Sequence, residues 1–182
     1  MNTPPSALAG YTPTSPHATT ARLARLTRTA IGWAERIPYD AVALLGRFAI
    51  AAVFWTSGQT KVQGFAVNFV TGEFQLGLPR LSDSALALFA DEYRLPLIAP
   101  ELAAPLAAVA EHVLPLLLLL GGATRLSALG LLGMTMVIQV FVYPGAYATH
   151  ATWAAVLLML LARGPGRWSV DHGLALCATP RR

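Results

Sequence analysis

Four stretches of the chain run almost without polar interruption: residues 41–62 (AVALLGRFAIAAVFWTSGQTKV), 101–120 (ELAAPLAAVAEHVLPLLLLL), 126–143 (LSALGLLGMTMVIQVFVY) and 149–162 (THATWAAVLLMLLA). About 20 apolar residues cross a hydrocarbon core ~30 Å thick, and backbone groups in lipid must be paired inside the protein. Each run therefore predicts a transmembrane helix. The last is short unless its helix starts near Ala146 and continues past Arg163. The links GGAT (121–124) and PGAYA (144–148) leave room only for antiparallel neighbours. The expected fold is all-α, a four-transmembrane-helix antiparallel bundle.

The remaining segments divide the chain further. Residues 1–20 (MNTPPSALAGYTPTSPHATT) are rich in Pro, Ser and Thr and read as a disordered cytoplasmic tail. No apolar h-region follows within signal-peptide range. Residues 21–38 set Leu23, Leu26, Ala30, Trp33 and Ile37 on one helical side and Arg22, Arg25 and Arg28 elsewhere, a basic amphipathic pattern suited to an N-terminal interfacial helix. The membrane domain occupies 39–173, and 174–182 is a second cytoplasmic tail. Residues 63–100 are long for a link between packed helices and predict a structured outer loop. A short helix at 83–91, starting at Ser82 or Asp83, would fold Leu86, Leu88 and Phe89 back over the outer mouth of the bundle as a structural cap or a lid. Pro96, Pro100 and Pro105 would break the chain before the second span settles.

Composition agrees with the membrane reading. The chain has 182 residues, of which 55% are hydrophobic and 12% charged, too few charges to face water on all sides. Basic residues then orient it. Arg22, Arg25, Arg28, Arg36, Arg125, Arg163, Arg167, Arg181 and Arg182 fall on one side of four crossings, whereas Lys61, Arg80 and Arg94 share the other with Glu73, Asp83, Asp91 and Glu92. The positive-inside rule puts both termini in the cytoplasm. Trp153, Tyr143 and Tyr147 are expected at the outer interface, and Trp33, Tyr39 and Trp168 at the inner one. The net charge of +4 is thus explained by topology, with no nucleic-acid partner. The lone Cys177 excludes an internal disulfide or a dithiol pair.

Ionisable groups within the spans point to an interior polar site, because they are costly in lipid and face the bundle interior. Arg47, Gly58 and Lys61 fall near one helical face, with Ser57 one turn from Lys61. Arg47 and Glu111 lie about 9 and 14 Å from the same membrane face at ~1.5 Å per residue. They are expected to pair. A second layer contains Gln59, Lys61, Glu101, Gln139 and His150. The candidate polar pocket is Arg47, Ser57, Lys61, Glu111, His112, Gln139 and His150. His112 and His150 differ in depth by about 16 Å, too far for a bis-His haem. No metal site is expected, since neither a His-X-X-X-His nor a cysteine cluster occurs.

Several of these segments resemble the DoxX family of small four-helix membrane proteins. They are GRFAIAAVFWTSGQTKV, AEHVLPLLLLLGGATRLSALGLLGMTMV and HATWAAVLLMLLARGPGRWSVDH, in that order over about residues 40–173. Arg47, Ser57, Gly58, Lys61, Glu111, Arg125, His150 and Trp153 match recurring positions, while His112 replaces the small residue more usual after the glutamate. The resemblance implies a multi-pass protein of the bacterial cytoplasmic (inner) membrane. It also implies either a redox-associated subunit interacting with quinone or a redox partner, or a non-catalytic component of an oxidative- or metal-stress (such as copper) response that anchors a partner protein. No intrinsic cofactor is expected, and quinone is the candidate ligand. Whether the chain is an enzyme stays open. Solute transport is disfavoured because the spans show neither a repeated half nor a pair of broken helices.

Overall fold

The computed structural model describes residues 16–68 and 71–178. Residues up to Pro38 form one unit and residues from Tyr39 another. In the first, helix α1 (Pro16–Ala34) carries the amphipathic pattern, and Arg36 lies over the Trp33 ring at 5.4 Å. Most of the expected N-terminal tail lies outside the described residues.

The second unit is built on four long helices. They are α2 (Tyr39–Gln59), α4 (Pro100–Leu120), α5 (Thr124–Val137, prolonged by a π-helical turn to Val142) and α6 (Tyr147–Arg163, entered through a 3₁₀ turn at Pro144–Ala146). All four are long and apolar enough to cross a membrane. Helix α2 packs on α4 and α6, and α5 packs on α4 and α6, which closes an antiparallel four-helix bundle. Ile50, Phe54, Leu118, Leu131, Leu157 and Leu160 form its core, with Ala43 and Ala128 allowing close approach. Leu45, Leu102, Val109, Leu126 and Leu158 remain exposed on the outer faces. Large apolar side chains on the outside and a modest core inside suit lipid as the surrounding solvent.

Helix α4 starts with Pro100 at its first turn, where the missing N–H costs nothing, so the expected break does not extend to Pro105. Pro105 and Pro115 both lie inside the helix. Because Pro115 has no N–H, the carbonyl of Glu111 lacks its usual intrahelical donor. Gly121 ends the helix at φ +71°, and the N–H of Gly122 returns to Leu117 O at 2.9 Å. That left-handed close turns the chain directly into α5.

Between α2 and α4 the expected outer loop contains an antiparallel hairpin, β1 (Val62–Asn68) with β2 (Glu73–Leu81). Its register shifts near Gly64, whose φ is +80°. Helix α3 (Asp83–Ala87) follows, with Ser82 Oγ accepting from Ala85 N at 3.1 Å, and runs into a π-helical turn at Leu88–Tyr93. Phe89 buries itself against Ala103 and Ala104 of α4, so this segment caps the bundle at its hairpin end. At the opposite end α7 (Val170–Ala178) occupies part of the segment read as a tail.

Candidate functional site

A cavity of about 360 Å³ opens between α2, α4, α5 and α6 beneath the capping segment. Phe54, Phe89, Leu95, Leu106, Met134, Val142 and Trp153 supply most of its walls. Ser57, Lys61, Glu111 and His150 supply polar groups, and Tyr93 and Tyr143 add hydroxyls. Both π-helical turns contribute lining residues, Phe89 and Tyr93 from one, Ile138 and Val142 from the other. Such turns widen a helix locally and recur at functional sites.

Lys61 and Glu111 form a buried ion pair at 2.7 Å, each side chain 4% exposed. Lys61 lies just past the end of α2, where its N–H returns to Gly58 O at 2.9 Å and the ammonium turns inward rather than out to the membrane surface. Nζ also donates to Ser57 O (3.2 Å) and Ser57 Oγ (3.0 Å), and Ser57 Oγ donates to Glu111 Oε1 (3.1 Å). Nζ approaches Glu111 Oε2 off the hydrogen-bonding direction, so Oε2 is close to a positive charge yet has no hydrogen-bond donor. Gly58 makes room for this arrangement. A Cβ there would sit 2.9 Å from His112 Cε1 and 3.1 Å from Glu111 Cβ.

The second polar pole is His150, buried rather than at the outer surface. Its Nδ1 donates to Gln139 Oε1 at 2.7 Å, and Gln139 Nε2 donates to Pro144 O at 2.8 Å. Gln139 thus supports His150 from behind without lining the cavity itself. Trp153 packs against His150 (5.1 Å) and Phe54 (5.7 Å), so it forms a wall of the bundle interior. At the capping segment Tyr143 donates to Glu92 Oε1 at 2.6 Å and meets Tyr93 edge-on at 6.0 Å. The Glu92 carboxylate taking its proton holds the Tyr143 phenol well above its ordinary value.

Besides Gln139, which stands behind His150, two further expected members of the pocket, Arg47 and His112, lie away from the cavity. Glu111 pairs with Lys61, not with Arg47. Arg47, 1% exposed, points toward the α7 end and donates to Leu119 O (3.3 Å) and Trp168 O. The last carbonyls of a helix have no intrahelical partner and carry the negative end of its dipole, which is what attracts the guanidinium. Asp171 completes this cluster by accepting from Ala123 N (2.8 Å) and Thr124 N (2.9 Å) at the start of α5. Burial acts to raise the Asp171 carboxyl, but the Thr124 and Ala123 groups and nearby Arg47 outweigh it and hold the acid below its usual range. His112 faces the hairpin. Its Nδ1 donates to Ala108 O at 2.7 Å, its Nε2 accepts from Gln59 Nε2 at 2.8 Å, and Gln59 Oε1 accepts from Val67 N at 2.7 Å. Trp55 adds a bond to Val67 O at 2.9 Å. His112 and Gln59 therefore fasten the hairpin to the bundle.

The family model described as DoxX matches residues 42–144. The chain belongs to the DoxX family. The DoxX match runs from α2 through the end of α5 and contains Arg47, Ser57, Lys61, Glu111, His112 and Gln139, stopping short of His150 and α7. With its four apolar helices, this DoxX chain is a multi-pass membrane protein. No curated protein and no solved structure matches it significantly.

Within the DoxX chain, sequence reasoning missed the cavity's capping wall of Tyr93 and Tyr143 and the role of Asp171. The Gly-Pro-Gly-Arg-Trp-Ser-Val-Asp run after α6 held a signal for the latter. Gly164 and Gly166 both have φ of +81°, and this turn delivers Asp171 to the α5 N-terminus and the Trp168 carbonyl to Arg47.

Proposed function

We propose that the protein is a redox-associated component of the bacterial inner membrane that holds the ring of a lipid-soluble quinone in the cavity between its four helices. One observation carries the reading. A cavity of about 360 Å³ between the four apolar helices has aromatic and aliphatic walls, with the Ser57–Lys61–Glu111 cluster and His150 as its polar groups. Small-molecule sites have this character, apolar overall with a few fixed polar groups. Its size suits one ring with part of a tail outside. The chain supplies binding and orientation, and the electrons pass between the quinone and a partner. The basic residues cluster toward the two termini, which supports a cytoplasmic location for both.

Ala110 lines the cavity without contributing to its polar network, so Ala110→Phe fills the space and leaves the ion pair untouched. Purified wild type in nanodiscs should bind a short-tailed benzoquinone, and Ala110→Phe should lose that binding at unchanged thermal stability. Equal retention by both proteins would refute the site.

A second reading, a non-catalytic anchor for a stress-response partner, is favoured by the exposed Phe74, Leu76 and Leu78 on one side of β2. It predicts that replacing all three with serine abolishes recovery of a partner protein from mild detergent. Unchanged recovery would count against it.

A further inference from the structure

The hydrogen positions around the cavity follow from their partners. The Pro144 carbonyl can only accept, so the Gln139 amide nitrogen must face it and the Gln139 oxygen must face His150. His150 therefore carries its proton on Nδ1, and Nε2 presents a lone pair. Among the described residues Nε2 has no protein partner, and His150 lines the cavity. At the other pole the Ser57 hydroxyl proton goes to Glu111 Oε1. Two protons of the Lys61 ammonium go to Ser57 O and Ser57 Oγ, and its charge faces Glu111 Oε2 at 2.7 Å off the hydrogen-bonding direction. Glu111 Oε2, itself buried, accepts no hydrogen bond. Tyr143 gives its proton to Glu92. Tyr93 can serve either as donor or as acceptor.

Among the described residues, the cavity's two fixed polar atoms without a hydrogen-bond partner, Glu111 Oε2 and His150 Nε2, are thus both acceptors. A quinone brings only carbonyl oxygens and would set lone pairs against lone pairs, whereas its reduced form brings two hydroxyl protons. We infer that the cavity selects the reduced form of its ring ligand, an aromatic diol of the hydroquinone class, with Glu111 Oε2 and His150 Nε2 as the accepting atoms. This rests on the reading above that the cavity holds such a ring, and adds which form it prefers. Sites built to hydrogen-bond a hydroxyl reject analogues that lack it, because their own buried polar atoms are then left unpaired.

The test uses the full chain in nanodiscs under anaerobic conditions. Calorimetry compares a short-tailed benzoquinone with its reduced hydroquinone. The hydroquinone should bind about ten-fold or more tightly, the effect of roughly one well-placed hydrogen bond. His150→Phe keeps an aromatic ring beside Trp153 but removes the acceptor, and should bring hydroquinone affinity down to that of the quinone. Gln139→Leu releases the fixed tautomer and should shrink the preference with the His150 ring still present, which covers the case in which His150→Phe fails to fold. Binding of the quinone as tight as, or tighter than, the hydroquinone overturns the inference and leaves the quinone reading standing. A preference that persists in folded variants at both positions also overturns it. Binding of neither form above the level of Ala110→Phe overturns both.

Discussion

Replacing Lys61 and Glu111 singly and together measures whether the two charges support each other. At 2.7 Å their attraction is about 6 kcal/mol for an effective dielectric constant of ~20, before the cost of removing both from water. Desolvation cancels much of that gain, so the pair's net stabilisation is small, while either charge left alone is not. Both side chains are 4% exposed, and water cannot screen the survivor. Lys61→Met should therefore lower the unfolding free energy by roughly 3–5 kcal/mol, and Glu111→Leu by a similar amount. The double variant should lose only about 1–2 kcal/mol, chiefly because Ser57 Oγ gives up a donor and an acceptor. Unfolding by sodium dodecyl sulfate in mixed micelles, followed by tryptophan fluorescence, gives all four free energies. The expected coupling is ~3 kcal/mol or more. Additivity within about 0.5 kcal/mol would show that the two groups do not act as a pair.

Two further outcomes concern the α7 end. Arg47→Lys should destabilise by roughly 2 kcal/mol, since one ammonium cannot replace a forked guanidinium between the Leu119 and Trp168 carbonyls, yet ligand affinity should be unchanged because Arg47 does not line the cavity; a loss of affinity at intact stability would contradict this placement. Asp171→Ala should cost about 1 kcal/mol at pH 7 by uncapping α5. The Asp171 carboxyl is lowered in the folded state, so its contribution is complete above the unfolded value of ~3.9 and fades as pH falls through the folded value. The gap between wild type and variant should accordingly close in acid below about pH 4, as read by thermal melts across pH; a gap that widens there would reverse the assignment.

The four spans were legible because an apolar run of bilayer length has few other uses, and the links GGAT and PGAYA allowed only antiparallel packing. Ser82 as a helix cap was equally plain, since its hydroxyl precedes Asp83 in a segment otherwise without a start signal. The pairing of charges was not. Distance along a helix axis places Arg47 and Glu111 within a few ångströms in depth, but it says nothing about which way a long side chain turns. Arg47 turned toward the carbonyls at the end of α4, and Lys61, placed in the candidate pocket without an assigned partner, took Glu111. The spacing of Ser57 and Lys61, one helical turn apart, was the available clue. The hairpin also left a trace in the alternation of Phe74, Leu76 and Leu78 beyond Asn68 and Gly72, which a search confined to helical periods passes over. His150 was placed in the pocket, whereas Trp153 was assigned to an interface because it lies near the start of a span. The preceding 3₁₀ turn and the π-helical turn of α5 carry that start inward, to the cavity.

Pro115 bears on how a ligand would be admitted. The helix lacks one backbone bond at the Glu111 carbonyl, so flexing α4 at that level costs less than elsewhere along it. The carboxylate rides on the segment that flexes. A few degrees of hinge motion there can lengthen the gap to Lys61 and bring the acid toward an arriving molecule, which makes the proline the pivot that lets a tightly held pair give way locally while the rest of the bundle stays packed.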